Sequence, residues 1–244
     1  MKHIPFPPYI RLATLLAMLL SLTWTCLAQE AAPSTAQTEH ERAEQELKQQ
    51  ERQRILGVLP EFNTTNIHNA ARLSPKEKFQ LALKSTTDPI TVVVAGLDAG
   101  ISQWQDSFGG YGQGAEGYGK RMGAAYADNF IGTLLGNALF PSLLHQDPRY
   151  FRKGTGSFKS RFFYATASTF RCKGDNGKWQ PNVSNLLGNL AAGGIANLYY
   201  PQTDRGAGLT FQRGFTVTLE GVFGGLGYEF WPDISHKLFH RNKN

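Results

Sequence analysis

The sequence predicts a mostly-α protein, a compact helical bundle whose helices carry glycine-lined faces. One module occurs three times: an apolar stretch with small residues four positions apart, closed by an aromatic residue and proline, with an acidic residue nearby. Small residues at this spacing share one helix face and allow a second backbone to approach closely. Glycine inside a helix costs about 1 kcal/mol relative to alanine, so its repeated use indicates a packing requirement. The three copies contain Gly132, Gly136, Phe140-Pro141 and Asp147; Gly188, Ala192, Ala196, Tyr200-Pro201 and Asp204; and Gly221, Gly225, Trp231-Pro232 and Asp233.

An outer-membrane β-barrel is the alternative fold class. The stretch from Phe215 to Leu219 alternates in polarity and is partly β-branched, as a strand would be. The glycine and aromatic content of the chain is also compatible with such a barrel.

The amino-terminal region predicts export. Lys2 and Arg11 give a positive start before a short apolar run, and small residues before Gln29 offer a cleavage site, so residues 1–28 are interpreted as a signal peptide. A retained anchor and a lipoprotein modified at Cys26 are the alternatives. Residues 29–54 are polar and are expected to form a spacer, either disordered or a solvated helix. Residues 55–244 are expected to form a single helical domain.

Two helix starts are well marked in that domain. Ser74-Pro75-Lys76-Glu77 is a capping box with proline at the first helical position. Asp88-Pro89 opens a second helix, predicted to run through Trp104. Asp175-Asn176-Gly177 is a turn signal, around which a hairpin is an open alternative. Further helices are predicted over Tyr118–Phe140, Phe158–Phe170, Asn185–Tyr200 and Phe211–Trp231, with a glycine-rich loop over Asp106–Gly119.

Four predicted helices approach membrane length, but acidic residues interrupt three of them. Asp98, Asp128 and Glu220 each lie inside an apolar segment. An acid at the bilayer centre raises the free energy of insertion by about 2.5–3.5 kcal/mol, and a leucine or phenylalanine lowers it by only about 0.3–0.6 kcal/mol. We therefore expect helices that touch or partly enter a membrane, with a water-soluble bundle and a spanning bundle as alternatives.

Positive charge is concentrated between Arg149 and Lys178, and Asp175 is the one acidic residue within that stretch. An exported protein has little nucleic acid to meet, so we expect this arc to face anionic lipid head groups or another envelope polyanion. An ordinary solvated face is the alternative. The predicted lipid or anion contacts are Arg149, Arg152, Lys153, Lys159 and Arg161.

One cluster carries groups that could support chemistry. His145 and Asp147 could form an acid–base pair, and Arg149 could bind a phosphate or carboxylate. The sequence has no nucleophile motif, no metal-ligand set and no cofactor motif. The structural alternative is that Asp147 caps a turn while Arg149 pairs with a buried acid such as Asp128. Cys172, flanked by basic residues, is either a low-pKa thiol or a structural cysteine.

Two segments resemble a family of uncharacterised exported bacterial proteins. They are Phe140–Arg152, with the sequence FPSLLHQDPRYFR, and the stretch from Leu187 that ends in Tyr199-Tyr200-Pro201. The resemblance covers about Ile55 to Trp231 and implies one shared domain. It carries no catalytic role to this chain.

The combined prediction is a non-catalytic exported protein of the cell envelope or periplasm, a membrane-associated helical bundle. The alternative is an exported hydrolase that acts on a phosphorylated or acidic envelope substrate. Anionic lipid or a membrane surface is the expected partner, and the glycine faces could also support self-association.

Overall fold

The computed structural model describes residues 35–51, 54–55, 59–60, 63–67 and 69–239. The chain divides into two compact units, Met1–Thr38 and Glu39–Asn244. The predicted signal peptide and Cys26 lie outside the described residues.

Helices dominate the second unit, which confirms the prediction of a mostly-α, glycine-faced bundle. A π-helical segment, Leu135–Leu139, joins α4 to α5, and short 3-10 turns occupy Gly109–Tyr111 and Gln202–Asp204. The helices are α1 (Thr35–Gln50), α2 (Pro75–Thr86), α3 (Pro89–Trp104), α4 (Gly114–Leu134), α5 (Phe140–Leu143), α6 (Phe158–Ala167), α7 (Val183–Ala196) and α8 (Ala207–Phe239).

Three short strand pairs connect the helices. Strands β1 and β2 form an antiparallel pair, β3 pairs in parallel with β4, and β5 and β6 form an antiparallel hairpin with Cys172 opposite Gln180. The hairpin turns at Gly177, whose φ of 75° suits glycine. The strands are β1 (Arg54–Ile55), β2 (Leu59–Pro60), β3 (Thr64–Thr65), β4 (Tyr150–Phe151), β5 (Arg171–Lys173) and β6 (Trp179–Pro181).

Both predicted helix starts are present. Ser74 is the N-cap of α2 and forms a complete capping box with Glu77, whose Oε2 accepts the Ser74 backbone N–H at 2.7 Å. Asp88 caps α3, and its Oδ1 accepts the Ile90 N–H at 3.0 Å. Helix α3 ends at Trp104 as predicted.

The polar segment near the amino terminus is helical and packs on the domain. Ala43 and Leu47, four residues apart on α1, are buried, and Leu47 joins a cluster with Leu73 and Leu81. Glu46 Oε2 also accepts the Ala71 backbone N–H at 2.8 Å. Two apolar residues on one face are enough to dock this helix, so its carboxy-terminal half is part of the folded unit rather than a free spacer.

The glycine faces are used for close packing within the chain. A Cβ placed on Gly188 of α7 would lie 2.5 Å from the Cα of Gly136 in the π-helical segment. A Cβ on Gly193 would lie 2.5 Å from the carbonyl oxygen of Thr210 in α8. The first two module copies therefore meet directly, while the third packs Gly225 against the Ala165 carbonyl of α6.

The third module copy is helical, as predicted for Phe211–Trp231, but its helix continues past the predicted end. The strand-like stretch from Phe215 to Leu219 lies within α8, and Pro232 does not end that helix. A proline interrupts hydrogen bonding in the preceding turn. The Glu229 carbonyl in that turn accepts hydrogen bonds from Arg152 Nε and Arg161 Nη2, so arginine side chains from other elements bind the backbone beside the interruption.

Two other boundaries differ from the prediction. The glycine-rich stretch was expected to be a loop up to Gly119, but α4 begins at Gly114 and pairs Glu116 with Lys120 one turn later. The helix was predicted to end at Phe140, but its α-helical part ends at Leu134. The wider π-helical turn Leu135–Leu139 follows, ahead of Pro141, which has no N–H to donate.

Candidate functional site

Charged side chains lie inside this bundle and large apolar side chains lie outside. Burying a charge is costly unless it is paired and hydrogen-bonded. Most of the buried charges are paired in this way, and they form separate clusters between the helices. The buried charged residues are Glu77, Lys78, Asp88, Arg121, Asp128, Asp147, Arg149, Arg161 and Glu229.

Glu229 is the centre of the first cluster and has no solvent exposure. Its carboxylate accepts hydrogen bonds from Arg161 Nε at 2.7 Å, from the Tyr150 hydroxyl at 2.8 Å, and from the backbone N–H groups of Lys153 and Gly154 at 2.9 Å. Burial alone would raise the pKa of Glu229, but these donors together hold it below its usual value. A carboxylate with this many donors is a structural anchor.

Asp128 is the centre of the second cluster. The hydroxyls of Tyr199 and Tyr200 each donate to it at 2.6 Å, and Arg213 Nη2 lies 2.6 Å from Oδ2. Burial, followed by contact with Asp128, raises the pKa of Tyr199, so its phenol stays protonated. The cluster joins α4, the end of α7 and α8.

A cavity of about 750 Å³ lies between the helices and the β5–β6 hairpin. Its wall combines apolar surface with many polar side chains, including three arginines, several acids and a series of asparagines. The side chains that give the cavity this character are Asp98, Asp128, Asn129, Asn137, Arg171, Asn182, Asn185, Asn189, Arg213 and Glu220.

The cluster predicted for chemistry is not assembled as an acid–base pair. Arg149 Nε and Nη2 bind both oxygens of Asp147, at 2.9 and 2.6 Å, and Asp147 Oδ1 also accepts the Arg149 N–H. Asp147 thus caps its turn, and Arg149 pairs with Asp147 rather than with Asp128. His145 is exposed, and its Nδ1 lies 3.8 Å from Asp175. The geometry therefore gives the hydrolase hypothesis no support.

The predicted basic arc is only partly available to an external anion. Arg149 and Arg161 are buried, and Arg161 binds both Glu229 and Asp233. Arg152 also pairs with Asp233, at 3.2 Å. Lys153 donates to Ser160, and Lys159 is exposed on α6. These acids are far away in sequence, so charge counting along the segment missed them.

Cys172 is buried on β5, where it forms part of the cavity lining. Burial, with a smaller contribution from Asp147, raises the pKa of its thiol to about 12. The geometry therefore supports a structural cysteine rather than a low-pKa thiol.

The outer surface is strongly apolar along α6 and α8. On α8 the exposed residues recur every four positions, and Phe223 is 71% exposed. The two helices present one continuous surface, because the rings of Phe158 and Phe230 lie 4.9 Å apart. We call this surface the α6–α8 apolar face; it comprises Phe158, Phe162, Phe163, Phe211, Phe215, Leu219, Phe223 and Phe230.

Helix α3 carries a similar stripe. Val93, Leu97, Ile101 and Trp104 share one side of the helix and are exposed, Trp104 by 85%. The opposite side is buried through Ala95 and Ala99. Within the part of the chain that the structure describes, no helix has the length and apolar character needed to cross a membrane.

Metal binding has no candidate among residues 69–239 or in the shorter described segments, because no three His, Cys, Asp or Glu side chains converge there.

Comparisons with protein-family models, with curated proteins and with solved structures gave no match. The cavity and the apolar face therefore define the candidate site.

Proposed function

We propose that this protein is a non-catalytic, exported cell-envelope protein that attaches to the surface of a lipid bilayer through exposed apolar helix faces. The observation that carries the proposal is the reversed polarity of the bundle, with ion pairs enclosed and phenylalanines outside. Large exposed apolar patches mark surfaces that bind proteins or membranes. A lipid surface fits here because the apolar side chains follow whole helix faces.

The α6–α8 apolar face supplies enough surface for such attachment. Moving about half of one phenylalanine side chain out of water contributes about 1 kcal/mol. Phe211, Phe215, Leu219 and Phe223 alone would contribute about 4 kcal/mol, close to a thousandfold in partitioning.

Exposed cations on α6 and on the β5–β6 hairpin, which contacts α6 through the rings of Trp179 and Tyr164, favour anionic lipid. Lys159 follows Phe158 on α6, and Lys178 lies on the β5–β6 hairpin next to the half-exposed Trp179. A lysine near an anionic bilayer contributes about 1 kcal/mol, and this contribution is screened by salt. We therefore expect binding to neutral vesicles that strengthens modestly with anionic lipid.

Vesicle flotation tests the proposal. The full chain, reconstituted by detergent removal, is expected to float with phosphatidylcholine vesicles and more strongly with vesicles that contain phosphatidylglycerol. The double variant Phe215→Ser/Phe223→Ser should reduce partitioning about 30-fold, since two half-inserted rings are lost.

The matched control is Gln49→Ser, an exposed neutral position on the charged helix α1, which should float like the unchanged chain. Equal flotation of the double variant and the control would contradict attachment through this face. Failure of the unchanged chain to float with either vesicle would refute the proposal.

A further inference from the structure

We infer that the cavity binds a small polyhydroxylated anion, one that carries a phosphate or carboxylate, at Arg171. This inference is independent of membrane attachment. It rests on an uncompensated cation, on the aromatic frame that holds it, and on spare amide acceptors in the same cavity.

Arg171 differs from the other arginines of the cavity wall. Arg149 is bound by Asp147 and Arg213 by Asp128. Arg171 makes no ion pair with any described acid. Like one nitrogen of Arg149 and one of Arg213, its Nε is enclosed without a hydrogen-bond partner. A half-buried guanidinium with neither a carboxylate nor a filled set of acceptors is the group that an oxyanion would complete.

Two aromatic rings orient this guanidinium. Its central carbon lies 5.2 Å from the centre of the Tyr164 ring and 4.8 Å from that of Trp179. Lys173 adds a second cation, with its Nζ 5.8 Å from the Trp179 ring and 4.1 Å from the Phe151 ring. Because the rings fix the guanidinium plane, little side-chain freedom is left to lose on binding.

The local charge balance favours an anion. Arg149, Arg171 and Lys173 lie around the rings of Phe151 and Trp179, and two acids, Asp147 and Glu46, pair with Arg149, which leaves one positive charge in excess. Burial lowers the pKa of Lys173, and the charge of Arg149 adds to this, although Asp147 opposes it. An anion placed here relieves the repulsion among the cations.

Asparagines on α7 supply the contacts for hydroxyl groups. The side-chain N–H groups of Asn185 and Asn189 donate to Thr169 and Thr218, while both Oδ1 atoms lack a donor among the described residues. Both amide oxygens lie near Gly136, where the missing side chain leaves the cavity open. Free amide acceptors and a cation in the same cavity match a molecule that combines hydroxyls with one acidic group.

Two sources offer this chemistry: a free sugar phosphate or sugar acid, and the glycerol phosphate of a phosphatidylglycerol head group. Thermal unfolding of the full chain in nonionic detergent is measured with millimolar glucose 6-phosphate, glucuronate, glycerol 3-phosphate and glucose. The charged probes are expected to raise Tm by about 3 °C, and glucose by much less.

Arg171→Met keeps the apolar stem and should abolish the rise, whereas Lys159→Met, an exposed cation away from the cavity, should leave it unchanged. If only the phosphatidylglycerol-dependent part of vesicle binding is lost in Arg171→Met, the head group is the source. The inference is overturned if Arg171→Met retains the full rise, or if neither the soluble probes nor phosphatidylglycerol binding depends on Arg171. If the unchanged chain does not float with vesicles but still responds to the soluble probes, membrane attachment is refuted and the cavity inference stands.

Discussion

Arg161 Nε lies 2.7 Å from Glu229 Oε1, although 68 residues separate the two in sequence. The pair ties α6 to α8 directly behind the exposed rings of both helices. Because the ion pair occupies the inner sides of the two helices, the phenylalanines lie on their outer sides. The buried ion pair and the exposed apolar face therefore lie on opposite sides of the same two helices.

Removing the buried acid should be far more damaging than removing its exposed neighbour. Glu229→Ala leaves Arg161 without its enclosed partner, so we expect a loss of about 3–5 kcal/mol in the free energy of unfolding. Asp233 is 43% exposed at its side chain, so Asp233→Ala should cost about 1 kcal/mol or less. Chemical denaturation compares the two, and equal losses would show that Glu229 is not the anchor.

The glycine contact between the first two module copies should tolerate no side chain. Gly188→Ala places a methyl group against the backbone of Gly136, and we expect a loss of about 1–3 kcal/mol from overpacking. Gly194 lies on the same helix, and a methyl group added there would meet nothing within 4 Å, so Gly194→Ala should stabilise by about 0.5–1 kcal/mol. Thermal unfolding that ranks the two variants in the opposite order would contradict the packing.

Glu220 should make the protein less stable as the pH rises. Burial raises the pKa of its carboxyl above the unfolded value of 4.5; Arg213 opposes the shift, and Asp98 adds to it. The folded state then holds a proton that the unfolded state releases, so this contribution is full below pH 4.5 and is lost as the pH rises through the folded pKa. Glu220→Gln should thus be more stable than the unchanged chain at neutral pH and no more stable in acid. Unfolding curves at several pH values check this, and an identical pH dependence in both proteins would count against it.

Cys172 should be unreactive while the protein is folded. Because its thiol has a pKa near 12, the thiolate population at neutral pH is very small. Maleimide labelling, followed by mass spectrometry, should modify this residue only after denaturant is added. Rapid labelling of the native protein would mean that the hairpin opens or that the thiolate is stabilised.

Local signals predicted the bundle well. Ser74 and Asp88 mark helix starts through contacts with their own neighbours, and the alternation of small residues identified the close contact at Gly188. Pro232 was misleading, because the helix continues through it; arginines from other elements bind the Glu229 carbonyl in the preceding turn.

The candidate site could be predicted only in part. The basic residues after Arg149 were identified, but the acids that neutralise Arg152 and Arg161 lie 68 to 81 positions further along the chain. The cavity depends on how six helices and a hairpin meet, and no local sequence pattern predicts that arrangement. The outward orientation of Phe215 and Phe223 also required the fold, because the same spacing is typical of a core-facing stripe.

The most direct test of membrane attachment is a nitroxide at position 223. In a chain with Cys26 and Cys172 replaced by serine, Phe223→Cys is labelled and compared with Gln49→Cys on α1. In vesicles, we predict that position 223 becomes more accessible to oxygen than to a water-soluble nickel complex, while position 49 keeps the accessibility of a water-exposed site. Equal, water-like accessibility at both positions would contradict the proposal that the α6–α8 apolar face rests in lipid.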